Sequence, residues 1–115
     1  MMLIVGPLFS GKRQAAMDIL GWSREELEKR AVWDVQDLAA SAEDLPALAE
    51  KLSHRDVVIA TEVGGGVVPT DPAQREAREK AGRLACLLAA RADCVVRVSC
   101  GLGQVLKGRL PAGEN

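Results

Sequence analysis

The sequence predicts an α/β fold, with a mostly parallel sheet flanked by helices, and three observations predict it. Short apolar runs alternate with stretches of helical spacing along the chain. The run Asp56-Val57-Val58-Ile59-Ala60-Thr61 is continuously apolar after its first residue, the pattern of a parallel strand buried on both faces. The first run, Met2-Leu3-Ile4-Val5, passes directly into Gly6-Pro7-Leu8-Phe9-Ser10-Gly11-Lys12-Arg13 and then into a helix-forming stretch. Strand, G-x-x-x-x-G-K loop and helix in that order are the context of a phosphate-binding loop, so the fold expected is P-loop NTPase-like and reduced in size.

Each element has a local reason. Met2 to Val5 is the first strand. In the loop, glycines let the backbone curl so that successive N–H groups face one anion. The following helix adds the positive end of its dipole. Gly6, Ser10, Gly11, Lys12 and Arg13 are the expected phosphate ligands, with Lys12 reaching the outer phosphates. Arg13 stands where such loops carry a Ser or Thr whose hydroxyl binds Mg²⁺. A guanidinium cannot ligate a cation, so no metal ligand is assigned. The helix runs from Lys12 to Leu20 and ends at Gly21, a C-cap. Ser23 and Glu26 form a capping box that starts a short helix through Lys29 or Arg30. Ala31 to Val35 reads as a strand. Asp44 caps a helix from Leu45 to Leu52, with Pro46 in its first turn and Leu45, Leu48, Ala49 and Leu52 on one face. The strand ending at Thr61 leads into a glycine-rich loop, Glu62 to Pro69. A long helix covers Asp71 to Ala92, charged in its first half and apolar in its second, which predicts that the second half is packed inside. Cys94 to Val98 is the last strand, Gly101 to Lys107 a turn with a short helix, and the final eight residues fray.

Composition narrows the class. Residues 1–115 make one domain of ordinary size for a single core. The only aromatics are Phe9, Trp22 and Trp33, so the core is aliphatic. A net charge of −1 gives no broad basic surface for nucleic acid. No apolar stretch is long enough to span a bilayer, and no leader pattern precedes the first strand, so a cytoplasmic protein is expected. Cys86, Cys94 and Cys100 lack zinc-site spacing and read as buried, inert thiols. His54, before a strand, reads as a surface residue.

In parallel sheets ligands bind outside the carboxyl ends of the strands. The phosphate loop, Asp34 to Asp37, and Glu62 with its glycines all fall at that edge, so one nucleotide site is expected there.

The second half of the chain resembles a known family. Thr61-Glu62-Val63-Gly64-Gly65-Gly66-Val67-Val68-Pro69 is similar to the N-E-V-G-x-G-I-V-P segment of the adenosylcobinamide kinase/adenosylcobinamide-phosphate guanylyltransferase family, which acts in cobalamin biosynthesis. Arg75 to Arg83 is similar to R-x-F-R-D-x-A-G-R, Leu88 to Asp93 to L-A-A-x-A-D, and Gly101 to Lys107 to the terminal G-x-x-x-x-x-K. The phosphate loop matches through Ser10-Gly11-Lys12. The family is longer, and most of the difference lies between the first helix and the strand ending at Thr61. The histidine that accepts the guanylyl group and the strand ending in D-C-L-T have no counterpart here.

The resemblance implies phosphorylation of a cobinamide side-chain hydroxyl by ATP or GTP, with guanylyl transfer not expected. It implies a corrinoid partner and a homo-oligomer. Lys12 and Glu62 are the catalytic candidates. Glu62 either binds Mg²⁺ through water or orients the hydroxyl, or else serves the glycine loop structurally. Asp34 and Asp37 either stand in for the absent aspartate or are exposed loop carboxylates. Arg75 and Arg78, one helical turn apart, either meet a phosphate or join a solvated charge lattice with Glu76, Glu79 and Lys80. The alternative function is a nucleotide-binding pseudoenzyme or partner protein of the same fold.

Overall fold

In a computed structural model, which describes residues 1–63 and 71–111, the elements follow in the order β1 (Met2–Gly6), α1 (Lys12–Leu20), α2 (Arg24–Arg30), β2 (Ala31–Val32), α3 (Gln36–Ala39), α4 (Leu45–Leu52), β3 (Val57–Thr61), α5 (Pro72–Arg91), β4 (Cys94–Ser99) and β5 (Leu102–Lys107). The sheet order is β2-β3-β1-β4-β5. The first four strands are parallel and β5 runs antiparallel to β4. This is the expected α/β, P-loop NTPase-like architecture, with the loop from Gly6 to Gly11 leaving the central strand.

The sheet is buried on both faces because its central strands are apolar at nearly every position up to their carboxyl ends. Leu3, Val58 and Val95 point to one side, where Ala39 of α3, Leu45, Ala49 and Leu52 of α4 and Ala81, Leu84 and Leu88 of α5 cover them. Met2, Ile4, Val57, Ile59, Val96 and Val98 point to the other, against Ala15 and Ala16 of α1 and Leu27 of α2. Strand alternation thus divides one apolar run between two cores. Among the described residues no helix is long and apolar enough to cross a membrane.

The caps form as their sequences direct. Gly21 adopts φ 67° at the end of α1. The Ser23 side chain accepts from the Glu26 N–H at 3.2 Å, and Asp44 from the Ala47 N–H at 3.1 Å. Asp71 caps α5.

Four expectations are corrected. The strand at Ala31 stops at Val32, because Asp34 takes φ 57° and turns the chain into α3. There Val35 is wholly buried and the Gln36 side chain accepts from the Thr61 N–H at 2.9 Å. Gly101 to Lys107 forms no helix. Cys100 and Gly101 both adopt positive φ, and this tight reversal returns the chain as β5, antiparallel to β4. The second half of α5 buries only a stripe, Ala81, Leu84 and Leu88, while Arg83, Cys86 and Ala90 are exposed. Of the cysteines only Cys94 is buried; Cys86 and Cys100 are exposed. The expected glycine-rich stretch from Gly64 to Pro69 and the last four residues lie outside the described residues. Gly108, in the tail expected to fray, turns at φ 72° so close to the Asp93 carbonyl that a Cβ would sit 2.0 Å from its oxygen.

Candidate nucleotide site

The loop is built by backbone packing. Glu62 N–H donates to the Gly6 carbonyl at 2.8 Å, and Gly101 N–H to the Ser10 carbonyl at 2.9 Å. Both ends of the loop are therefore tied to neighbouring strand ends. A side chain at Gly6 would place its Cβ 2.3 Å from the Val98 carbonyl oxygen and 2.9 Å from Ser10 Oγ. Gly11 takes φ 85° at the N-cap of α1, a conformation that glycine adopts without steric cost. These two glycines are the ones the geometry requires, as the spacing predicted.

Lys12 folds into the loop. Its side chain leaves it only 8% exposed, and Nζ donates to the Pro7 carbonyl at 2.7 Å and to Ser10 Oγ at 3.4 Å. Burial is the main influence on its proton affinity and pushes the ammonium below the ordinary lysine value; Asp34 and Glu62 oppose that shift and Arg13 adds to it. A lysine held by a loop carbonyl and hydroxyl, with two carboxylates in electrostatic reach, is placed to receive an anion at the start of α1.

Beside the loop lies a cleft of about 540 Å³ whose walls include Phe9, Lys12, Arg13, Trp33, Asp34 and Thr61. Phe9 is 94% exposed and holds φ 60°, an uncommon conformation for a bulky residue. The Arg13 guanidinium lies over the Trp33 ring, 5.5 Å from its centroid. Ser10, Gly11, Lys12 and Arg13 line this cleft, and Gly6 precedes the loop at the end of β1. Asp34 joins them from the β2–α3 turn, while Asp37 sits exposed in the first turn of α3. Arg75 and Arg78 lie on the first half of α5 and are not among the residues that line the cleft. His54 is exposed, with Nε2 3.3 Å from Glu50.

Glu62 has a partner that sequence reading missed. Arg97 Nε and Nη2 donate to its two carboxylate oxygens at 2.6 and 3.0 Å, and Nη1 donates to Ser99 Oγ at 2.8 Å. The signal for Arg97 was present: it is the one charge in the strand Cys94-Val95-Val96-Arg97-Val98. Its partner lies 35 residues away, beyond any local pattern.

The loop type implies a Mg²⁺ ion, and the donor set here does not suit one. Arg13 offers only donors and stacks on Trp33. Both Glu62 oxygens are engaged by Arg97. Among the described residues no three His, Cys, Asp or Glu side chains come together as a metal cluster.

A family model described as cobinamide kinase / cobinamide phosphate guanyltransferase matches residues 17–106. The match begins inside α1, after the phosphate loop, and spans Glu62, Arg75, Arg78 and Arg97. No curated protein matches the chain.

Proposed function

The chain belongs to the cobinamide kinase / cobinamide phosphate guanyltransferase family of cobalamin biosynthesis, and from that premise we propose that residues 1–115 form one nucleotide-binding domain that phosphorylates the cobinamide side-chain hydroxyl with ATP or GTP. The observation that carries this reading is the buried Lys12 ammonium, held at the N-terminus of α1 by the Pro7 carbonyl in a loop closed on Gly6 and Gly11.

The roles follow from the geometry. Lys12, the loop N–H groups and the α1 dipole take the β- and γ-phosphates. Arg13 and Trp33 line the cleft, where the phosphate chain meets the acceptor. Glu62, held at the carboxyl end of β3, orients the acceptor hydroxyl. Catalysis in such a site is positioning and charge neutralisation. Guanylyl transfer is left out of the proposal, since the family's histidine has no counterpart in this sequence. Self-association belongs to the proposal too: β5 is an exposed edge strand carrying Leu102, Val105 and Leu106, a surface that natural sheets cover. Sedimentation of the full chain tests it, and a monomer at all concentrations would remove it.

A second reading is favoured by Arg13 and by the capture of Glu62: a nucleotide-binding member that supports a partner without transferring phosphate. Incubation with cobinamide and GTP or ATP separates the two. The kinase reading expects cobinamide to gain the mass of one phosphoryl group, at a rate abolished by Lys12→Ala. Nucleotide binding without that product supports the second reading.

A further inference from the structure

Resting on the nucleotide reading above, we infer that this loop takes the phosphate chain without a protein-held divalent cation, and that Arg97 is the positioning residue that enforces this by occupying Glu62. The proposal stands on the arrangement of three side chains. Residue 13, the position of the usual metal-binding hydroxyl, is a guanidinium lying over Trp33; it supplies positive charge to the cleft and can accept no metal bond. Asp34, the carboxylate on the cleft wall, accepts from the Gln36 amide at 3.5 Å, and Glu62, joined to the loop through its own backbone N–H on Gly6, is the second acidic group at this edge. Both of its oxygens are bound by the Arg97 fork at 2.6 and 3.0 Å.

The fork is itself fixed. Arg97 lies in β4 opposite Val5 of β1, and its remaining nitrogen donates to Ser99 Oγ at 2.8 Å. Freeing Glu62 breaks both bonds of the fork together, while the bond to Ser99 keeps the guanidinium in place beside it. Bidentate guanidinium–carboxylate pairing is planar and directional, and a lysine cannot reproduce it. Cys94, Val95, Val96 and Val98 of the strand are buried and apolar, so sheet packing does not call for an arginine at this position. A metal competing for Glu62 meets a cation already in place. A phosphate chain meets Lys12 and Arg13, two cations facing the cleft.

The test is calorimetric titration of the full chain with GTP and with ATP, each in MgCl₂ and in EDTA. Arg13→Ser, Arg97→Leu, the double variant and Arg13→Ser with Arg97→Lys are compared with the parent, and thermal melts confirm that each folds. The parent is expected to bind with affinities that differ by less than about twofold between the two conditions, and the double variant to gain at least about tenfold from Mg²⁺. Arg13→Ser alone gains much less, because Glu62 stays held. The lysine version falls between, since one point charge replaces the fork. A parent whose affinity rises about tenfold with Mg²⁺ overturns the inference. So does a folded double variant that remains indifferent to Mg²⁺, or Arg13→Ser alone matching it. No binding of either nucleotide in either condition removes the nucleotide reading, and this inference with it, which is a different result from Mg²⁺-dependent binding.

Discussion

Two charged clusters sit at the carboxyl end of the same sheet and are assembled in opposite ways. Around Lys12 the backbone does the work: a buried ammonium is held by a carbonyl and a hydroxyl in a loop that two glycines allow. Around Arg97 the side chains do the work: a guanidinium and a carboxylate, 40% and 39% exposed, satisfy one another across the end of the central strand. The first cluster has a strong donor aimed at a loop; the second consumes its own charges. In the function proposed, one receives an anion and the other withholds a carboxylate.

The largest effect expected is at Lys12. Charge-assisted hydrogen bonds contribute about 1.5–3 kcal/mol each, so Lys12→Ala is expected to weaken nucleotide binding by about ten- to a hundredfold. Titration calorimetry checks it, and an unchanged affinity would separate the loop from nucleotide altogether. Gly6→Ala comes next. The added Cβ would lie 2.3 Å from the Val98 carbonyl oxygen, which is backbone and has little room to give. Overpacking of this kind costs about 1–3 kcal/mol, read as a lower melting temperature together with lost nucleotide affinity. A variant at Gly6 that melts and binds like the parent would break the claim that backbone packing shapes this cluster.

The clusters are also expected to differ in pH response. Lys12 titrates below the ordinary lysine value because it is buried. Nucleotide affinity is therefore expected to fall on the alkaline side before an ordinary lysine would lose its charge. Folding stability moves the other way. Between the lowered pKa and the unfolded value of 10.5 the unfolded chain holds more protons at this site. Raising the pH through that window relieves the cost of burying the charge, and stability rises. Asp34→Asn removes a carboxylate that favours the charged lysine and is expected to shift the loss of affinity to still lower pH. Titrations and urea melts across alkaline pH follow both trends, and affinity that stays flat there would mean that Lys12 keeps its proton.

What the sequence made legible follows the same division. The loop, its two necessary glycines, the place of Lys12 at the start of α1, the caps at Ser23, Asp44 and Gly21 and the parallel strands are all encoded within a few residues of where they act. Period, spacing and capping chemistry report such features directly. The missed features depend on contacts across the fold. Asp34 ends β2 because Val35 and Gln36 find partners on β3, which nothing between Ala31 and Val35 announces. Gly101 to Lys107 carries glycines that read as a turn, and the second strand of the hairpin exists only because β4 offers it an edge. The Glu62–Arg97 pair joins residues 35 apart. Glu62 was singled out for its neighbours in sequence, and the group that governs it lies on another strand.

The smallest effect expected is on stability at Arg97, and it sharpens the contrast most. A bidentate pair with a further hydrogen bond to Ser99 looks like a fastening of the fold, yet both partners are substantially exposed. Exposed ion pairs contribute about 0–1 kcal/mol, because Coulomb attraction in water is offset by the entropy of holding two long side chains. Burial of Leu3, Val58 and Val95 between the sheet and α5 involves much larger apolar areas. Arg97→Leu is therefore expected to leave the melting temperature within a few degrees of the parent's, about the shift of a change below 1 kcal/mol in a chain this size. Its salt dependence should be weak as well, since the parent has little electrostatic stability there to lose. A melting temperature far below the parent's would mean that the pair holds β3 and β4 together, and that Arg97 is explained by the sheet. A small change leaves the sheet indifferent to Arg97, and places its role at the loop it faces.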